Sequence, residues 1–386
     1  MLLLTLSIFA PFYFSLVAVC GVALMTVINY RVRVKAFRAP YTKLIFGFLI
    51  IWFFVAAIYN NYLGMAYTML IYAIFTAGLY LRSVMTRSLF HEALDAACVG
   101  SLWCVAVAVL QKFATLASAP NYRPVSVFTN ANYYGMMIEF MVVIALYRIF
   151  TNPARTSFYA AVMGANFIGL YLTASCSSLV AMLCAVFVMI LYKNNRKLTA
   201  AFFLAVAASV AVSLLFPVIL PRSSDAIETT LSQRISIWMT ALHGIRQHPL
   251  LGRGAETYQM IYERFGGYKT YHSHNLALDM VLNFGIVGTS VVCVYLFLQV
   301  RLLAARIRHN VYSEMNVLVF AALTAIVVHG ITDVTILWIQ TALLFFLLVS
   351  SLGIGSVYSE EEISLTGLLP VYGRDSRSGQ ALYIKN

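Results

Sequence analysis

The sequence predicts an all-α, polytopic transmembrane protein with about eleven to twelve spans and one large extracytoplasmic loop. Three observations lead there. Hydrophobic residues fill 61% of the 386 positions and charged residues only 10%, against roughly 45–50% apolar and about 25% charged in ordinary globular domains. Mean hydropathy is +0.84, which leaves too little polar surface to solvate a compact body of this size. The apolar residues fall in blocks of about twenty, the length that crosses a hydrocarbon core of about 30 Å as helix. A soluble protein is excluded. Nucleic acid is not read as a partner either: the Lys+Arg excess, 26 against 14 acids, is scattered through short connectors, where positive charge sets membrane orientation.

Taken in order, the first run, 2–29, opens with Leu2-Leu3-Leu4. It lacks a basic leading segment and is too long for a signal-peptide core, so it reads as a retained span kinked near Pro11. Dividing it there gives the twelfth span. Further runs lie at 43–60, 62–81, 93–113, 133–150, 157–173, 177–192, 198–220, 275–299, 315–332 and 335–354. Alternate connectors are basic: Arg31, Arg33, Lys35, Arg38 and Lys43; Arg82 and Arg87; Arg148 and Arg155; Lys193, Arg196 and Lys197; Arg301, Arg306 and Arg308. Those between them are nearly free of Lys and Arg. The alternation divides the chain into eight helices over 1–220, an extracytoplasmic loop over 221–274, three helices over 275–354 and a cytoplasmic tail over 355–386. Cys20, Cys98, Cys104, Cys184 and Cys293 lie inside apolar runs and Cys176 at the edge of one, so no disulfide framework is expected.

The long loop contains a helical pattern. Ile235, Trp238, Leu242 and Ile245 recur at helical spacing, with Ser232 as an expected N-cap and Pro249 as a stop. Such a helix is expected to lie along the membrane interface with Trp and Ile down, and to carry Arg234 and Trp238 on one side. Next, His248-Pro249-Leu250-Leu251-Gly252-Arg253-Gly254 reads as a turn presenting Arg253. The loop closes with Tyr271-His272-Ser273-His274-Asn275 at the mouth of the ninth span. Four of the seven histidines lie in this loop, with Arg222, Arg234, Arg246, Arg253, Arg264 and Lys269. Guanidinium groups suit pyrophosphate because their planar donors bind oxygens in pairs and stay charged. Imidazole suits removal of a proton from a sugar hydroxyl near neutral pH.

The order Arg234-x-x-x-Trp238, His248-Pro249-Leu250-x-Gly252-x-Gly254, His272-x-His274-Asn275 and Asn283-x-Gly285-x-x-Gly288 resembles the O-antigen ligase and polymerase family of the Wzy_C type. Phe128 to Gly135 and Gly330-Ile331-Thr332-Asp333 look similar too, so the resemblance covers roughly 128–348. It implies a GT-C-like membrane glycosyltransferase without cofactor or metal, in the bacterial cytoplasmic membrane with its loop outside. The implied donor is an undecaprenyl-pyrophosphate-linked glycan, transferred to a lipid, wall or glycan acceptor hydroxyl in surface polysaccharide assembly. His274, Arg234 and Arg253 are the implied catalytic residues, with His272, Asn275, Arg222 and Asn132 binding substrate. One departure is visible: the family commonly carries an arginine about where Cys176 stands, a role left for Arg123, Arg222 or Arg253.

Ligase activity is the expected function, repeat-unit polymerase activity the alternative and a transporter or flippase the further one. The absence of a clear internal repeat and the scarcity of midplane charges weigh against transport. A metal at His272-x-His274 is not expected, because no convergent Cys or carboxylate pair is visible. Asp333, Glu139 and Asp279 lie in or beside spans, where ionisable groups are costly. Asp333 divides evenly between a functional group and a helix cap or buried hydrogen bond; Glu139 reads as a helix cap or buried hydrogen bond. Gly285 and Gly288 read as allowing close helix packing.

Overall fold

A computed structural model of the chain describes residues 2–216, 222–358, 371–374 and 382–385. The end of the 198–220 run, Pro221 at the loop start and most of the tail therefore lie outside the described residues. All the apolar runs form helix. The first breaks at Pro11, as expected, into α1 (Leu2–Ser7) and α2 (Phe12–Ile28). The basic connector behind it is itself a helix, α3 (Tyr30–Phe37), bent by 100° from α2. Asn29 starts it by accepting the Val32 N–H, and Arg33 reaches back to the Val27 carbonyl.

The remaining helices are α4 (Thr42–Ile58), α5 (Tyr62–Val84), α6 (Arg87–Thr115), α7 (Ala131–Thr151), α8 (Thr156–Thr173), α9 (Cys176–Lys193), α10 (Arg196–Leu215), α11 (Ser224–Gln247), α12 (Thr257–Ile261), α13 (Leu276–Arg308), α14 (Ser313–Gly330) and α15 (Ile339–Val349). Side chains of Asn61, Thr86, Asn130, Ser175, Asn195 and Asn275 cap α5, α6, α7, α9, α10 and α13 by accepting first-turn N–H groups. By length and composition seven helices among the described residues can cross a membrane, or up to eight with the bent pair α2–α3, fewer than the eleven apolar runs. The difference has three sources: the first run is broken at Pro11, α8 is long enough but less apolar, and two other runs form shorter helices because their ends are turns. In 335–354, for example, helix begins only at Ile339, and α4 and α15 are short apolar helices.

The core sits around α7, which is buried almost without interruption from Tyr133 to Ala145 and packed by α8, α9 and α14. On α7, Glu139 meets His329 of α14 at 2.5 Å with both side chains fully buried. Toward the other end of α7, Arg148 makes a bidentate pair with Asp95, and Tyr159 donates to the same carboxylate. α10 has no fully buried residue; it touches α9 through Phe202 and Phe203 against Phe187 and is otherwise largely exposed. Past α15, three short strands, β1 (Ser356–Tyr358), β2 (Val371–Arg374) and β3 (Leu382–Lys385), form a small sheet in the order β1-β3-β2. It pairs β1 parallel and β2 antiparallel to β3.

Two features of the large loop position the site. α11 begins nine residues before the expected start, with Ser223 as the cap and Asp225 in its first turn. Ser232 falls inside the helix and bonds back to the Thr229 carbonyl. The buried face of α11 is Ile237, Thr240, Ala241 and Gly244, set against Ile261 and Leu282, whereas Ile235 and Leu242 are exposed. The second feature is a break in α13 at Gly285, at φ 63° and ψ −176°. The break frees the Ile286 and Val287 N–H groups, which donate to the carbonyls of Pro249 and Leu250, while Gly254 N–H donates to the Asn283 carbonyl. A Cβ on Gly285 would sit 2.2 Å from the Leu250 carbonyl oxygen, and one on Gly252 2.3 Å from that of Asn283. The two glycine motifs therefore weld the loop to α13. Only Gly288, against Trp52 of α4, follows the helix-packing reading given to both glycines.

Candidate active site

The site is built at the ends of α7, α13 and α14 together with α11. His274 is the last residue but one before α13, at φ 49°, in the left-handed region that a non-glycine residue enters only at a cost. Asn275 fixes that turn: it caps α13 through the Leu278 N–H and donates to the Ile331 carbonyl, so its amide is engaged in structure. Trp238 of α11 donates its indole N–H to the His274 carbonyl at 3.3 Å. The Trp238 side of α11, expected to turn toward the membrane, thus faces the histidine instead.

His274 Nδ1 lies 2.8 Å from Asp333 Oδ1, and its Nε2 lies 3.0 Å from Thr270 Oγ1. The Asp333 side chain is 2% exposed and that of His274 21%, so the carboxylate is enclosed while the imidazole can be reached. Asp333 also accepts from Asn132 Nδ2 at 2.5 Å and from the Val334 N–H at 2.8 Å. Burial opposes its ionisation, but the hydrogen bond and charge of His274, with His272 and His329, outweigh burial and hold the carboxyl well below the usual range. Asp333 is thus a buried carboxylate held by three hydrogen bonds, as one half of the even reading expects. Its signal in the sequence was an ionisable group at the end of an apolar span.

Asn132 also accepts from Arg123 at 2.7 Å, and Arg123 donates to the Thr173 carbonyl at 2.6 Å. Its amide therefore bridges Arg123 to Asp333. Burial, then the charges of Arg222 and Arg234, lower the proton affinity of Arg123; burial also lowers that of Arg234. Cys176, at the start of α9, lies within electrostatic range of both. Arg123 and Arg234 thus both lie within electrostatic range of residue 176, where the resemblance anticipated an arginine, and Arg222 lies within range of those two. They crowd like charge against a single carboxylate, an arrangement that suits a multiply charged anion.

His272 is buried beside this centre, its Nε2 3.7 Å from Asp333 Oδ1 and 3.5 Å from the Tyr133 hydroxyl. Its Nδ1 accepts the His274 N–H, and burial pushes its imidazole down to about 4, so it is neutral at physiological pH. The ligand atoms of His272, His274 and Asp333 all lie within 4.8 Å of one another. The expectation that no carboxylate converges on the histidines is therefore corrected: the fold supplies Asp333 from a loop 59 positions later. Even so, the 2.8 Å between His274 and Asp333 is a hydrogen-bond distance, shorter than the roughly 3.4 Å edge of a tetrahedral site with bonds of about 2.1 Å.

Arg253 stands apart. Its Nη2 lies 2.8 Å from His248 Nε2 and its guanidinium 5.5 Å over the Tyr59 ring, and no contact joins it to His274 or Asp333. The structure therefore does not bring Arg253 together with the other expected catalytic residues. Arg222, by contrast, is held near them by bonds to Ala226 O and Thr230 Oγ1.

Residues 158–293 match the family model of O-antigen ligase. The match agrees with the family that the motifs resemble, and the chain is a multi-pass membrane protein with a segment similar to O-antigen ligase. That segment runs from α8 into α13 and takes in Arg222, Arg234, His272 and His274; Arg123, Asn132 and Asp333 lie outside it. No curated protein matches the chain.

Proposed function

We propose that the protein is a membrane glycosyltransferase of the ligase type, moving a glycan from undecaprenyl pyrophosphate to an acceptor hydroxyl on the extracytoplasmic side. The observation that carries the reading is the accessible His274 imidazole, oriented by buried Asp333 and set beside Arg123, Arg222 and Arg234. Asp333 accepts from Nδ1–H, which leaves Nε2 as the basic nitrogen. In the transfer, the acceptor hydroxyl takes the place of Thr270 at Nε2 and gives up its proton there. The acceptor oxygen bonds to the anomeric carbon as the bond from that carbon to pyrophosphate breaks. The leaving undecaprenyl pyrophosphate gains one negative charge, which the arginines stabilise. No metal takes part in the proposed step. The loop lies outside because the basic connectors lie inside.

The test is transfer by the purified protein from a lipid-linked glycan, with undecaprenyl pyrophosphate release measured alongside. Wild type should couple the two products. Release without a glycosylated acceptor, or movement of intact donor across a bilayer, would overturn the reading.

A further inference from the structure

Tyr59, His248 and Arg253 form a second polar cluster that the proposed transfer does not use. His248 sits between the other two, its Nδ1 3.1 Å from the Tyr59 hydroxyl and its Nε2 2.8 Å from Arg253 Nη2. Burial, with the neighbouring charges of Arg253 and Arg264, lowers the proton affinity of His248. It is therefore the neutral acceptor that fixes the guanidinium. The cluster is rigidly mounted: Trp52 donates to the Leu251 carbonyl, Asn61 to the Arg253 carbonyl, and the turn is welded to the α13 break.

The fixed guanidinium is incompletely matched. Arg253 Nε is buried without a hydrogen-bond partner, and neither Arg253 nor Arg264 has a carboxylate partner among the described residues. A buried donor left unpaired is costly, so a missing acceptor is indicated. The surroundings indicate its source. Phe54, Ile58, Leu250 and Leu251, the chain neighbours of Tyr59 and His248, are 60%, 76%, 64% and 45% exposed. Apolar surface with a cation fixed at its edge is the pattern of a lipid in contact with protein: chains along the leucines, headgroup at the guanidinium.

We propose that Arg253, presented by His248 and Tyr59, binds the phosphate of a lipid in the leaflet next to the 222–275 loop, at a site separate from the His274–Asp333 centre. The inference does not depend on the transfer reaction, and neither does its test. Native mass spectrometry of the detergent-solubilised full chain would compare phosphatidylglycerol with a galactosyl diacylglycerol of the same acyl chains, which lacks phosphate. Wild type should retain one phosphatidylglycerol more strongly than the glycolipid. Arg253→Ala should weaken that retention about tenfold or more, the loss of a charge-assisted bond. Arg253→Lys, which keeps the charge but not the fork, should fall between and serves as the variant least disturbing to the fold. Equal retention by wild type and Arg253→Lys and Arg253→Ala would overturn the proposal, as would equal retention of the glycolipid. Displacement of the lipid by inorganic phosphate at millimolar concentration would make this a site for free phosphate and overturn the lipid assignment.

Discussion

Asp333→Asn is the substitution that separates an oriented base from a histidine merely packed in a turn. The carboxylate accepts three hydrogen bonds, from His274 Nδ1, Asn132 Nδ2 and the Val334 N–H. Asparagine offers only one oxygen and an amide that can only donate. If its oxygen faces His274 and Val334, two amide NH2 groups collide between residues 132 and 333. If its nitrogen faces His274, Nδ1 must accept, the proton moves to Nε2, and the base is lost. The second arrangement sets the new NH2 against the Val334 N–H instead, and in either one the imidazolium formed during proton transfer loses the carboxylate that stabilises it. General-base assistance is worth about 10²–10⁴-fold, so kcat for transfer should fall by about that factor. Donor KM should change little, because the guanidinium groups stay in place. The assay is turnover of purified lipid-linked glycan with protein abundance and melting temperature measured in parallel. A variant that keeps its fold and transfers within a few-fold of wild type would refute the reasoning.

Other substitutions test other parts of the account. Arg123→Ala and Arg234→Ala should each cost about 1.5–3 kcal/mol of donor recognition, read as a rise in KM or a fall in kcat/KM, whereas Cys176→Ser should leave transfer nearly unchanged. Gly285→Ala places a Cβ 2.2 Å from the Leu250 carbonyl oxygen at φ 63°; it should lower the melting temperature and loosen the loop, and unchanged stability would contradict the weld. For His272, the folded imidazole titrates at about 4 against 6.5 for the free group, so the unfolded chain binds more protons between those values and stability rises with pH there, by about 3 kcal/mol in all. Glu256, pushed up by burial from 4.5 to about 7, has the opposite sign, with stability falling as pH rises through that window. His272→Asn should therefore leave a protein less stable at pH 7 than at pH 5, and Glu256→Gln one that loses stability faster in acid.

The helices were legible because apolar length and polar caps are local properties; α5, α7, α8 and α9 fall within a few residues of their apolar runs. The start of α11 was missed because Ser232 satisfies the same local rule as Ser223, and only the acidic first turn favours the earlier one. The buried face of α11 was missed because apolar residues line two adjoining faces, one packed on α13 and one exposed. His274 could be singled out at the mouth of a span. Asp333 could be flagged as ionisable, but its pairing with His274 depends on how α13 and α14 approach, which spacing does not encode. Arg253 misled for a complementary reason: a glycine turn announces a presented side chain without giving its direction. The α13 break points it toward Tyr59 and His248.

The central claim is that His274 removes the acceptor proton without a metal. Its most direct test is the rate of transfer by His274→Gln, with and without chelator, from purified lipid-linked donor. Glutamine can still hydrogen-bond Asp333 but cannot take up a proton at neutral pH, so the account predicts a loss of about 10²–10⁴-fold in a folded, membrane-inserted protein, and a wild-type rate unaffected by EDTA. A near-normal rate for His274→Gln, or a wild-type rate abolished by EDTA and restored by zinc, would contradict it.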